Sequence, residues 1–407
     1  MSKSKLGLVL ASSTLAVFLV VGSSLSGKSS APNGDGAYRQ LRVYEEVLAR
    51  VRSDYVEEPD IKEATNGALH GLLESLDPFS SYLSPEEYTA YQAKKSPQKG
   101  ELGVVLAKKF GYVSVITSLP GSPAAKAGIY SGDIVESIDD ASTREMSLEK
   151  VNTVLEGKPG TTVTLSVIRA SRAEPQKITL KRDIVAMPAV SAKISEPGIG
   201  YIRIEAFPPG RAVDVVQHLQ KLVSGGAKSL VIDLRNSAEG DANEAVKLAD
   251  VFMDHGLIGY RQGQKFPREN FDATPGKNKY TLPIVVLVNR GTAGPAELLA
   301  AALKENGRAE MVGERTYGVG SVQKIIPLDD GSALLLSVAK YYTPGGKAIQ
   351  DNGLTPGVQV AESRQPREAV TDEDNPDAQA PPPADDKQPH EDMILKKALD
   401  ILRGIKS

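Results

Sequence analysis

The apolar positions fall into five regimes along the chain. After Lys3 and Lys5 the sequence runs through LGLVLASSTLAVFLVVG and then turns to SSLSGKSSAP. A short basic region, an apolar segment and small residues after it describe an export signal over residues 1–26. The segment is close to the length that spans a bilayer, so it is either cleaved near Ser26 or kept as a single membrane anchor. With no later run of that length, the body is expected to be soluble and to meet a membrane only through this segment, in a periplasmic or other extracytoplasmic location. Residues 27–37 are rich in Ser, Gly and Pro and read as a linker.

From Tyr38 the period changes. Leu41, Val43, Tyr44, Val47, Leu48 and Val51 recur at helical spacing, and IKEATNGALHGLLESL predicts a second helix. LDPFSSYLSPEEYTAYQ turns at Asp77-Pro78 and starts a third, with Ser84 as cap, Pro85 at the first helical position and Glu87 at the third. Residues 38–97 are thus expected to be an N-terminal helical segment used for packing or dimerisation. Over 98–183 the chain reads as short strands: ELGVVLA, YVSVITSL, DIVESIDD, KPGTTVTLSVIR and QKITLKR, with PGSPAAKAGI and MSLEKVNTVLEG as helical insertions. That order predicts a compact β-rich domain. Over 184–360 strands and helices alternate, as in SLVIDLR, ANEAVKLADVFM, PIVVLVN and PAELLAAALKEN, which predicts a sheet with helical crossovers. Residues 361–390, acidic and proline-rich, are expected to be disordered, and 391–407 to form an amphipathic helix that docks back on the body. The fold class is therefore multidomain α+β.

Composition narrows the function. A chain of 407 residues needs more than one domain, and a net charge of −3 argues against nucleic acid. With no cysteine, disulfides, thiolate metal sites and cysteine nucleophiles are excluded, and a lipid-modified N-terminal cysteine with them. His70, His218, His255 and His390 show no metal-ligand spacing, so neither a metal nor a cofactor is implied.

The candidate chemistry lies where PIVVLV meets NRGTAGPAELLAAAL, a buried strand passing through a small-residue corner into a helix. Such corners hold nucleophiles, because the helix amides face whatever sits on them. The residue at the tip is Gly294, which has no side chain to react.

Several segments, in order, resemble known families. LGVVL, GSPAAKAGIYSGDIVESIDD and LEGKPGTTVTLSVIR are similar to a PDZ domain of the bacterial processing-protease type. LDPFSSYLSPEEY, SLVIDLRN, IVVLVNRGTAGPAELLAAALKENGRAEMVGERTYGVGSVQ and ALLLSVAKYYTPGGKAI resemble the carboxyl-terminal processing peptidases, also called tail-specific proteases. The resemblance implies an α/β peptidase domain of the ClpP/crotonase-like kind behind the PDZ-like domain.

It also implies serine-lysine chemistry, in which a neutral amine takes the serine proton and a glutamine orients the amine. The family's nucleophile segment is similar to N-x-G-S-A-S-A-x-E, which places Gly294 at the serine position, between Asn289, Gly291, Thr292 and Ala293 on one side and Ala296 and Glu297 on the other. Its lysine segment resembles T-F-G-K-G-S-V-Q, which places Val319 at the lysine position and retains only Gln323. Its oxyanion turn resembles D-L-R-x-N-P-G-G; here DLRNSAEGD puts Ala238 and Glu239 at the proline and first glycine, with Gly240 after them. A carboxylate there opposes a developing oxyanion, and a side chain disfavours the glycine backbone.

Thr292 is the nearest substitute nucleophile, with Ser321 and Lys324 beyond Val319, but alternation along a strand turns Lys324 away from the Val319 face. Gly294 as cap, Pro295 in the first turn and Glu297 at the positive helix end make the corner a scaffold without its chemistry. The PDZ-like domain is left as the functional candidate. The resemblance implies that a ligand C-terminus adds beside its edge strand, over the loop Leu102, Gly103 and Val104, the strand Val105 and Leu106, and the facing helix Val151, Val154 and Leu155. Two functions follow as expectations: an exported pseudopeptidase that binds protein C-termini or an active protease relative, and a working serine-type endopeptidase with a relocated nucleophile. Homodimerisation through the terminal helices is a further expectation.

Overall fold

The computed structural model describes residues 34–93, 99–109, 111–169, 174–276, 280–362 and 391–404. The export segment, most of the linker and nearly all of the acidic tail lie outside the described residues. The chain divides into two compact units, residues 1–67 and 68–407. In the first, α1 spans Gly34–Asp54, four residues earlier than the expected start at Tyr38, and α2 (Ile61–Glu74) begins. Along α1, Leu41, Val43, Tyr44 and Val47 are exposed. Among the described residues no helix is long and apolar enough to cross a membrane.

The second unit starts with the end of α2, then β1 (Ser81–Leu83) and α3 (Pro85–Ala93). The capping of α3 follows the sequence: the Glu87 N–H donates to the Ser84 hydroxyl and the Ser84 N–H returns a bond to Glu87. The segment before it is not purely helical, contrary to expectation. Ser81, Tyr82 and Leu83 are buried and pair antiparallel with Leu335, Leu334 and Ala333, so residues 81–83 complete a sheet built far along the chain.

The β-rich domain follows as β2 (Val104–Lys109), β3 (Tyr112–Ser118), α4 (Pro123–Lys126), β4 (Ile134–Ile138), β5 (Ala141–Ser142), α5 (Leu148–Leu155), β6 (Thr162–Ile168) and β7 (Gln176–Lys181). Its sheet runs β2-β3-β4-β6-β7, with β2 at the edge. Ser122 and Ser147 cap α4 and α5, and Leu148, Val151 and Leu155 of α5 drop into the domain core.

The remainder alternates as foreseen: β8 (Ser191–Glu196), β9 (Ile199–Arg203), β10 (Ala206–Phe207), α6 (Arg211–Ser224), β11 (Ser229–Asp233), β12 (Glu239–Gly240), α7 (Ala242–Phe252), β13 (Leu257–Gln262), β14 (Glu269–Asp272), β15 (Ile284–Val288), α8 (Pro295–Glu305), β16 (Ala309–Gly313), β17 (Ser321–Pro327), β18 (Ala333–Tyr342), β19 (Val358–Gln359) and α9 (Met393–Gly404). The central sheet runs β19-β16-β15-β11-β9-β8, parallel except at β8. Alternate residues serve its two faces. Ile284, Val286 and Val288 join the core beneath α6, α7 and α8, while Val285 and Leu287 meet Ile394, Ala398 and Leu402 of α9. A second, antiparallel sheet is strung on the long β18, which pairs with β17 along one edge and with β1 and β13 on the other.

One buried charge cluster fixes α9. Arg235 donates to both oxygens of Asp233 at 2.6–3.1 Å and, with its outer nitrogens, to both oxygens of Asp392 at 2.8 Å. Asp392 in turn accepts from the Leu395 N–H at the start of the helix. Asp233 is fully buried and also accepts from Tyr201, whose hydroxyl is pushed up to about 12 by burial and by that carboxylate. Arg235→Ala strands the buried Asp233 charge and should lower unfolding free energy by about 3 kcal/mol or more, against about 1 kcal/mol for Asp392→Ala. Urea denaturation of both variants checks the order.

Candidate active site

The corner between β15 and α8 is stitched to the turn after β11. The Asn289 side chain accepts the Asn236 and Gly291 N–H groups at 2.9 and 3.0 Å and donates to Asn236 Oδ1 at 2.9 Å. The Ala293 N–H donates to the Ser237 carbonyl at 2.9 Å. Thr292 is fully buried; its hydroxyl donates to the Leu234 carbonyl at 2.8 Å and accepts the Asn289 N–H at 3.0 Å. That hydroxyl holds the corner together and faces no solvent, so it is poorly placed to attack a substrate.

Gly294 caps α8 with φ 59° and ψ −120°, a backbone that L side chains adopt only under strain. Strained strand-to-helix corners of this kind are where nucleophiles sit. A Cβ built at Gly294 meets nothing closer than the Ala238 carbonyl oxygen at 3.6 Å, so a side chain has room. The neighbour is an acceptor, however, where oxyanion stabilisation needs a donor. The next residue, Pro295, has no N–H at all. Sequence reasoning had credited Pro295 only as a good first helical residue; its missing donor was there to be read.

The oxyanion turn departs from expectation in one respect. Glu239 takes no positive φ and pairs in parallel with Ala206 as part of β12, while the left-handed positions of this turn are Asn236 and Gly240. A side chain at 239 is therefore accommodated. Burial raises the Glu239 carboxyl, and burial together with Glu239 raises that of Glu101 in the β-rich domain, so both resist further negative charge.

Val319 stands on the loop before β17, half-buried in an apolar cluster of Ala107, Ile116 and Ala293 with Phe79, Val105, Ala238 and Tyr317. Gln323, the third residue of β17, is exposed and donates from Nε2 to the Phe79 carbonyl at 2.5 Å. The alternation argument for Lys324 does not hold, because Val319 precedes the strand and a bulge falls between Val322 and Gln323. Lys324 is nonetheless exposed, whereas Thr292 is sealed inside.

Glu297 has a larger role than the helix-end charge expected of it. It is fully buried, and its carboxylate accepts four donors: Gly294 N–H at 3.0 Å, Val319 N–H at 2.9 Å, Gly318 N–H at 2.9 Å and the Thr316 hydroxyl. One side chain thus ties the nucleophile corner to the loop at the lysine position. Burial pushes its pKa up to about 7 against those hydrogen bonds.

Strand β3 of the β-rich domain lies against this site. Ser114 Oγ is 2.9 Å from the Tyr317 hydroxyl, and the Thr117 hydroxyl donates to the Asn236 carbonyl at 3.2 Å. Of the proposed peptide-binding residues, Leu102, Leu106, Val151 and Leu155 are buried in the domain core, with Val104 and Val154 half-buried beside it. Val105 is the exception. Alternation along β2 turns it to the opposite face, into the Val319 cluster with Ala107, while Val104 and Leu106 face the domain core. Gly103 has φ 67°, and a Cβ there would meet Ser122 Cβ at 2.4 Å, so the loop admits only glycine.

Family models match these two bodies: a PDZ domain over residues 115–169 and peptidase family S41 over residues 198–360. A carboxy-terminal-processing protease of Bartonella bacilliformis is 34% identical over 81% of this chain and 76% of its own length. The carboxy-terminal processing protease CtpA of Bacillus subtilis is 33% identical over 86% and 74%. Among solved structures, a photosystem II D1 C-terminal processing protease superposes with a TM-score of 0.69 at 29% identity, covering 79% of this chain and 86% of that one. The fold is that of a PDZ-bearing serine-type peptidase. The chain belongs to peptidase family S41, among relatives that are carboxyl-terminal processing proteases.

Glu297 yields a signed pH prediction. Its pKa rises from about 4.5 in the unfolded chain to about 7 in the fold, so between those values the folded protein holds a proton that the unfolded chain releases. Its contribution is therefore largest at acid pH and declines as pH rises across that window, by up to about 3 kcal/mol. Glu297→Gln should flatten this slope in urea melts run from pH 4.5 to 7.5. Glu297→Ala, which leaves the donors unpaired, should lose about 3 kcal/mol or more.

Proposed function

We propose that this chain is an exported, non-catalytic member of its family, a pseudopeptidase that binds protein C-termini or an active protease relative through its PDZ domain. The observation that carries the reading is the corner at Gly294: nucleophile-type backbone, no side chain, and a proline where the next amide would donate. Val319 removes the base as well, and its apolar surroundings favour a neutral aliphatic group. Covalent acyl transfer needs both groups. The relocated-nucleophile reading is disfavoured by the buried, doubly bonded hydroxyl of Thr292. Peptide capture is supported by an edge strand, a facing helix and a positive-φ glycine loop in PDZ order. Self-association through α1 is supported by its exposed Leu41, Tyr44 and Val47.

Activity assays and light scattering test this. The purified protein should leave an unstructured substrate with an apolar C-terminus intact and take up no fluorophosphonate label. Turnover by the wild type that such a label abolishes would overturn the reading. Gly294→Ser with Val319→Lys should remain roughly 10²–10³ below the variant that also carries Pro295→Ala, since the proline withholds an oxyanion donor. Light scattering across a concentration series should show a dimer that Leu41→Asp with Val47→Asp converts to monomer.

A further inference from the structure

The groove between β2 and α5 is not open. An edge strand and a helix bordering a vacant groove leave their rims exposed, yet every residue of Val104–Lys108 and Leu148–Leu155 is buried or half-buried taken whole, Lys150 keeping part of its side chain in solvent. The cover is the chain's own segment from the end of α2 through α3. At one end of β2, Lys108 is buried, and its amine bonds Glu74 together with the Arg144 and Met146 carbonyls just before α5. Helix α3 lies against α5, where Glu87 Oε1 is 3.3 Å from Lys150 Nζ. Between these anchors Phe79 packs against both the PDZ core and the Val319 cluster, its carbonyl held by Gln323.

We propose that the segment Glu74–Tyr91 is a built-in cover that keeps the PDZ groove latent until a ligand or partner displaces α3. This rests on the peptide-binding reading above. The cover is made of side chains: among the described residues β2 pairs only with β3, so its outer main-chain edge remains available for an incoming strand. Its helical part, α3, is also built to lift, while Ser81–Leu83 stays paired to β18. No residue of α3 is fully buried, and the Lys150 side chain is 42% exposed, which leaves the ion pair weak in water. The Glu74–Lys108 contact is the firmer anchor, because it neutralises a buried amine. A ligand that competes with a mostly closed cover has its apparent affinity reduced by the open fraction.

Two readouts on the full-length protein test this. The variant Glu74→Lys with Lys150→Glu removes both anchors, and Lys150→Arg keeps the second. Amide hydrogen exchange over residues 104–108 should be slow in the wild type and in Lys150→Arg, and about tenfold faster in the double variant. Fluorescence anisotropy should show a labelled decapeptide with a free apolar C-terminus binding about tenfold tighter to the double variant, and its C-terminally amidated twin binding to neither. Rapid exchange in the wild type, or equal exchange and equal binding in all forms, overturns the cover while leaving peptide binding intact. Faster exchange without binding of either peptide overturns the peptide-binding reading and the latent site with it. Circular dichroism confirms that the variants fold.

Discussion

A single buried carboxylate organises the centre of this molecule. Glu297 has no cation within its shell of partners; it is held by backbone amides and a hydroxyl drawn from the corner, from its own helix cap and from the loop before β17. A buried charge is costly unless fully hydrogen-bonded, so these partners must stay in register for the fold to persist. This explains why the corner keeps a strained glycine and the loop keeps its course although neither carries a reactive group. The constraint is structural, and it holds with Gly294 and Val319 at the two positions it ties together.

The same geometry explains how the PDZ domain is seated. With valine at position 319, the space beside the corner is apolar, and it is filled by Val105, Ala107 and Ile116 from the PDZ sheet. Alternation along β2 sends Val105 and Ala107 to the corner and Val104 and Leu106 to the PDZ core, and the extra residue of the bulge lies on β3, at Ile116. Polar bonds from Ser114 and Thr117 fix the position of the sheet. Val319 and its neighbours thus serve as the packing surface for one face of the PDZ sheet.

The chain's two ends are joined to the body by different physics. β1 is held by main-chain pairing to β18, reinforced by Ser337 bonding to Asp77 and Ser80. α9 is held by an apolar stripe and by the Arg235 fork to Asp392. The pairing of β1 with β18 and the Arg235–Asp392 fork each span more than a hundred residues of sequence, and no local pattern announces them.

Much of this was written in the sequence, because it depends on local chemistry. Helix period, Ser-Pro-x-Glu capping at Ser84, the alternation of buried strands with helices, and the amphipathic stripe of residues 393–402 each follow from neighbouring side chains. The glycine at 294 and the valine at 319 were equally legible, since a residue's identity needs no fold to be read. What only tertiary structure decided were partnerships between distant segments: that Ser81–Leu83 is a strand, that Glu297 binds the loop at Val319, that Thr292 is sealed, and that Val105 packs beside Val319. A strand needs a partner, a buried carboxylate needs donors and an apolar side chain needs a surface to cover it, and all three are set by whatever the fold brings alongside.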